Sequence, residues 1–77
     1  MNIKIYTKPN CSSCDLLKNS LDSIGVEYDA INILEVEKEE ADSIRKIAKE
    51  SGQRMMPIVF IDNNLVRPEE VIDRIKA

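Results

Sequence analysis

Apolar and polar positions alternate from residue 3 to 7, "IKIYT", which is the period of a β-strand. Pro9 and Asn10 interrupt the run. Leu16, Leu17, Leu21 and Ile24 then recur at helical spacing, which predicts a helix over about residues 12–24 with Gly25 as its C-terminal cap. "VEYDAINI", residues 26–33, alternates again and predicts a second strand. The link between these two strands is long enough for a helical crossover, so they are expected to run parallel. Residues 37–51 are charged but carry Ala41, Ile44, Ile47 and Ala48 as an apolar stripe, closed by Gly52. Acidic residues gather at the start of that helix and basic ones later, as the helix dipole favours, and its charge reads as a solvated face. "IVFID", residues 58–62, is the most apolar run and predicts a central strand. Asn63 and Asn64 suit a tight turn, because Asn tolerates positive φ, and "LVR" returns antiparallel. Pro68 can open a last helix whose apolar face is Val71, Ile72 and Ile75. The predicted order β-α-β-α-β-β-α is an α/β architecture with one sheet flanked by helices.

With 77 residues, the chain is expected to be one small domain, 1–77, whose modest core leaves little stability to spare. A hydrophobic content of 43% argues against disorder. The formal charge of −3 argues against nucleic acid or an anionic membrane as the main partner. No apolar run approaches the roughly 20 residues that span a bilayer, and "MNIKIYTKPN" does not read as a secretory signal. A monomer in the cytoplasm is the expectation. That reducing compartment disfavours a structural disulfide and shifts weight toward metal binding or redox chemistry. With two cysteines and no histidine, a tetrahedral zinc site needs carboxylates or a second chain, so metal is the weaker reading.

The two cysteines are Cys11 and Cys14, at the start of the first predicted helix. Residues three apart there lie on one side, and their sulfurs can reach disulfide distance. Unpaired N–H groups and the helix dipole favour a thiolate over a thiol. Cys11, nearer the helix start, is the expected nucleophile. Cys14, one turn deeper, is the expected resolving thiol that displaces product from a mixed disulfide. The opposing reading is a pair of inert, buried cysteines, but the polar flanks of "PNCSSCD" are poor core context. Lys8 either lowers the Cys11 pKa by proximity or is an ordinary solvated lysine, and spacing does not choose between them.

"MMPIVF" is the second informative stretch. Proline is tolerated at a strand's first residue, where Pro57 falls. An arbitrary X–Pro bond is cis in only about 5% of cases, so the residues by themselves favour trans at Met56–Pro57. A cis bond would free the Met56 backbone to pair with a substrate. Met55 and Met56 read either as core filler or as an adaptable apolar lip beside the thiolate.

"IYTKPNCSSC" resembles the strand, lysine-proline and Cys-x-x-Cys opening of glutaredoxins, and "GQRMMPIVFID" resembles their loop, cis-proline and third strand. The chain is similar, over essentially its whole length, to a glutaredoxin-like redoxin of the thioredoxin superfamily. The resemblance implies a thioredoxin-like fold with one central mixed four-stranded sheet, dithiol–disulfide exchange, and a cis peptide at Pro57. It places Lys8, Ser13, Arg54, Met55 and Met56, with Pro57, along a substrate groove for glutathione. In that groove Arg54 and Lys8 would meet carboxylates, and the Met56 backbone would pair with the substrate's cysteine.

Three departures modify this picture. Where glutaredoxins usually carry two glycines and an acid after the last hairpin, this chain has "VRPEEV", in which only Glu70 can stand in for the acid. Arg67 adds bulk and Pro68 lacks an N–H, which disfavours a close glutathione cradle. An Arg-Pro here resembles instead the small redoxins that are reduced by thioredoxin reductase and feed ribonucleotide reductase. Ser12 and Ser13 fill the positions that tune redox potential, and Asp15 follows Cys14 where a basic residue is frequent. Asp15 opposes a nearby thiolate but suits the first helical turn. The expectation is therefore an oxidoreductase with no bound cofactor, acting on disulfide-bearing proteins, ribonucleotide reductase among them. Glutathione or a thioredoxin-reductase-type flavoenzyme would supply its electrons. The alternatives are a metal or iron–sulfur cluster module and a non-catalytic adaptor.

Overall fold

Period-two alternation sends the side chains of each strand to opposite faces of one sheet, and two helix layers cover those faces. A computed structural model describes residues 1–53 and 56–76. Its elements are β1 (Ile3–Thr7), α1 (Ser12–Ser23), β2 (Asp29–Asn32), α2 (Lys38–Glu50), β3 (Ile58–Ile61), β4 (Asn64–Val66), a 3₁₀ turn (Pro68–Glu70) and α3 (Val71–Lys76). The sheet order is β2-β1-β3-β4. β1 runs parallel to β2, with Ile5 opposite Ala30, and antiparallel to β3, with Ile5 opposite Val59. β3 and β4 form the closing hairpin. This is the mixed four-stranded sheet of the thioredoxin-like fold.

On one face Ile3, Ile5, Val59, Ile61 and Val66 pack with Leu17 and Leu21 of α1 and Val71 of α3. On the other, Tyr6 and Ile58 pack with Ala41, Ile44 and Ala48 of α2, joined by Ile33 and the partly buried Phe60. Tyr6 and Phe60 meet edge to face, their ring centroids 5.9 Å apart.

Both long helices end in the same way. At α1, Gly25 takes φ +73°, its N–H donates to the Asp22 carbonyl, and the Val26 N–H reaches back to Leu21. At α2, Gly52 takes φ +84°, donates to Lys49, and the Gln53 N–H reaches Ala48. These are Schellman closures, which need a residue that adopts positive φ at low cost.

Several expectations shift. The buried stripe of α1 is Cys14, Leu17 and Leu21, while Leu16 is 67% and Ile24 40% exposed. Cys14 takes the inward position that the spacing of leucines assigned to Leu16. In α2, Ala41, Ile44 and Ala48 are buried and Ile47 is exposed. β2 is shorter than residues 26–33 because Val26 serves the α1 closure. The hairpin turns at Asp62 and Asn63, φ +50° and +68°, one residue earlier than Asn63–Asn64, so Asn64 begins β4. Asp62 is fixed there by pairing with Asn2: its N–H donates to the Asn2 carbonyl at 2.7 Å, and its carboxylate accepts the Asn2 N–H at 2.8 Å. Pro68 opens the 3₁₀ turn, and α3 starts three residues later at Val71.

Candidate active site

β1 carries the chain to the rim of the sheet, and Lys8, Pro9 and Asn10 turn it into α1. Asn10 makes the turn at φ +58°, a conformation that Asn accepts more readily than most residues. The next residue, Cys11, is the N-cap of α1, with extended backbone angles (φ −109°, ψ 102°). Its carbonyl accepts the first helical hydrogen bond, from the Asp15 N–H at 3.2 Å. Its sulfur takes the place usually held by a Ser, Thr or Asp oxygen and accepts the Cys14 N–H at 3.2 Å. One of the orphan donors at the helix start is thus satisfied by the Cys11 sulfur.

The Cα atoms of Cys11 and Cys14 are 5.3 Å apart and their sulfurs are at disulfide distance. Cys11 retains 8% exposure and Cys14 1%. Neither belongs to the apolar clusters on the two sheet faces. Both cysteines are thus buried, Cys11 somewhat less than Cys14. An oxygen or nitrogen acceptor at an N-cap is favoured most when it carries negative charge, and the same holds for a sulfur here. Asp15, which the sequence left as an opposing charge, is largely exposed and pairs with Lys18 at 3.5 Å, so its field at the sulfur is screened.

The other site residues fall as follows. Ser13 is exposed in the first turn of α1, and Lys8 is exposed at the end of β1. The Met56–Pro57 bond is cis, Pro57 is buried and Met56 is half-buried. The Gln53 side-chain amide donates to the Pro57 carbonyl at 2.6 Å and braces that loop. Arg54 and Met55 lie outside the described residues. Arg67, in the place of the expected glycine, is exposed and donates to the Ser51 carbonyl at 3.2 Å, at the C-terminus of α2. A cationic donor suits that helix end.

Lys8, Pro9 and Met56 also form one wall of a cleft of about 730 Å³. Its floor is apolar, from Ile33, Ala48 and Ile58. Its far rim carries Arg45 and Lys49, which the sequence reading left on a solvated helix face. Their i, i+4 spacing was the available signal, but only the fold shows that this edge of α2 faces the cysteine loop. Among the described residues no three thiolate or carboxylate groups converge to hold a metal ion, and no helix is long and apolar enough to cross a membrane.

The Glutaredoxin family model matches residues 3–66. A glutaredoxin-like 8.6 kDa protein from the rubredoxin operon of Clostridium pasteurianum is 31% identical over 83% of this chain and 80% of its own length. The glutaredoxin-like protein NrdH of Salmonella typhimurium is 34% identical over 78% of this chain and 68% of its own. Among solved structures, the glutaredoxin-like NrdH-redoxin of Escherichia coli, described as having a thioredoxin-like activity profile, superposes with a TM-score of 0.67 and 25% identity. That match covers 96% of this chain and 93% of the other. A buckwheat glutaredoxin–glutathione complex superposes at 0.71 with 24% identity, over 96% and 67%, and shares the fold.

Proposed function

The chain belongs to the glutaredoxin family, and on that premise we propose that it is a dithiol–disulfide oxidoreductase in which Cys11 attacks and Cys14 resolves. The observation that carries the reading is the Cys11 sulfur acting as N-cap acceptor for the Cys14 N–H at the start of α1. That donor and the helix dipole favour the thiolate form of Cys11 in the reduced protein. The thiolate attacks one sulfur of a substrate disulfide. A mixed disulfide forms, and the other substrate sulfur leaves and takes up a proton. Cys14 then loses its proton and attacks the Cys11 sulfur, the second substrate thiol leaves, and the Cys11–Cys14 disulfide remains. Two electrons and two protons have passed to the substrate. No resident cofactor is needed, since the electrons travel as a thiol pair.

The donor is proposed to be a thioredoxin-reductase-type flavoenzyme rather than glutathione. Arg67 reaches the Ser51 carbonyl and Pro68 has no N–H to offer, so the backbone there is ill suited to cradle a glutamyl group. The likeness to NrdH proteins supports the same choice and makes ribonucleotide reductase a proposed substrate. The site would then work in the cytoplasm.

The test supplies NADPH with either thioredoxin reductase or glutathione plus glutathione reductase, and follows NADPH consumption on a small neutral disulfide. Turnover is expected with the first system, and Cys11→Ser should abolish it. Turnover with glutathione alone would reverse the donor assignment, and turnover by the Cys11→Ser variant would end the nucleophile assignment.

A further inference from the structure

Gln53 makes two connections at the end of α2. Its backbone N–H donates to the Ala48 carbonyl at 2.9 Å and completes the closure of that helix. Its side-chain amide donates to the Pro57 carbonyl at 2.6 Å, immediately before β3 begins at Ile58. The amide oxygen is closed off from solvent, so the side chain is seated within the junction. One residue thus ties the last turn of α2 to the entry of β3.

Both ends of the tie border the cleft beside the cysteine loop. Ala48 and Ile58 lie on its floor, and Met56 shares a wall with Lys8 and Pro9, which precede Cys11 in the same loop. A hydrogen bond fixes direction as well as distance, so the amide sets how far the Met56–Pro57 segment stands from α2. Arg67 also donates to this helix end, at the Ser51 carbonyl, but neither Arg67 nor Ser51 lines the cleft. The tie made by Gln53 therefore belongs to the cleft, and that made by Arg67 to the closing hairpin.

We propose that Gln53 is a positioning residue for disulfide exchange: its amide holds the Met56–Pro57 segment at a set separation from α2, and so aligns a peptide-sized disulfide lying in the cleft with the Cys11 sulfur. The proposal rests on the dithiol reading above and adds a residue to it. Gln53 acts through the segment it holds, and the reactivity of the sulfur itself is left to the helix end. Alignment of the reacting groups contributes to rate only for a substrate that the site can orient. Loss of the amide should therefore slow a disulfide that uses the cleft and spare one too small to do so.

The test compares the pre-reduced protein with its Gln53→Met variant, which keeps the length of the side chain and removes its donor. Two disulfides are supplied separately: a symmetric dimer of a short neutral cysteine peptide, and hydroxyethyl disulfide, which has no peptide to align. Reactions are quenched with acid and separated by chromatography. The peptide should react about 5- to 10-fold more slowly in the variant, the size of one lost hydrogen bond. Hydroxyethyl disulfide should react at an unchanged rate, and so should iodoacetamide with Cys11. The Ile58 amide, which shares a peptide group with the Pro57 carbonyl, should shift in the amide NMR spectrum of the folded variant. An equal loss on both disulfides would mark a merely structural effect and overturn the proposal, and so would equal peptide rates in the two proteins. If Gln53→Met does not fold, Gln53→Glu at about pH 8 takes its place, since an ionised carboxylate has no donor for the carbonyl. A reduced wild-type protein that consumes neither disulfide would remove the dithiol reading, and this role with it.

Discussion

If the Cys11 sulfur caps α1, replacing it should separate two roles that one atom now performs. Cys11→Ser keeps a side-chain acceptor of nearly the same reach, whereas Cys11→Ala removes it. Both variants keep Cys14 as a lone thiol, so neither can form the internal disulfide and the comparison is free of redox state. Removing an N-cap acceptor costs about 0.5–2 kcal/mol, typically about 1. The Cys14 N–H that would lose its partner is buried, and a buried unpaired donor lies at the costly end of such effects. For a domain of this size about 1 kcal/mol moves the melting temperature by about 4–8 °C. Thermal melts followed by circular dichroism at 222 nm should therefore show Cys11→Ala unfolding about 4–8 °C below Cys11→Ser. The Cys14 amide should also exchange its hydrogen faster in the alanine variant. Identical melting temperatures would refute the cap, and with it the argument that the helix end stabilises a charged sulfur.

Three further outcomes follow from the same geometry. Iodoacetamide applied to the reduced protein at rising pH should label Cys11 first, at a pH below the range of free cysteine, because Cys11 is 8% and Cys14 1% exposed. Equal, slow labelling of both would contradict the assigned roles. Gly25→Ala should destabilise by about 1 kcal/mol in urea unfolding. A Cβ there meets nothing within 4 Å, so the whole effect is the strain of φ +73°, and an unchanged midpoint would refute it. The tyrosines set an alkaline limit. Burial, and then the charge of Glu40, push the Tyr6 phenol above its usual value of 10.0, and burial followed by the hydrogen bond to Asp22 does the same for Tyr28. The folded chain then holds protons that the unfolded chain releases, so stability is intact below pH 10 and falls as pH rises beyond it. Tyrosine absorbance near 295 nm and urea midpoints across that range check both halves of the statement.

The strands were legible in two ways: β1 begins with an apolar–polar alternation, and β3 is a continuous apolar run, the mark of a central strand covered on both faces. Helix ends were legible because Gly25 and Gly52 are the residues that positive φ demands. What escaped the sequence depended on contacts remote along the chain. Leu16 looks as apolar as Leu17, and only the fold reveals that Cys14 takes the inward position. Asn63–Asn64 is as good a turn on paper as Asp62–Asn63, and the choice between them is made by Asn2, which lies 60 residues away from Asp62. The cysteine pair could be located from its motif, and the cis bond at Pro57 came with the resemblance. Arg45 and Lys49 were hidden in a helix rich in charge, where local pattern cannot tell a charge that faces water from one that faces a cleft.

On the proposed dithiol reading, the unequal burial of the two cysteines has a kinetic consequence. Cys14 is sealed, so whatever gives electrons to this protein and whatever takes them must both land on Cys11, at one corner of the sheet. Two proteins cannot occupy that corner together. Each must leave before the other arrives, and the steady state should follow ping-pong kinetics: parallel double-reciprocal lines, with excess of either partner inhibiting the other.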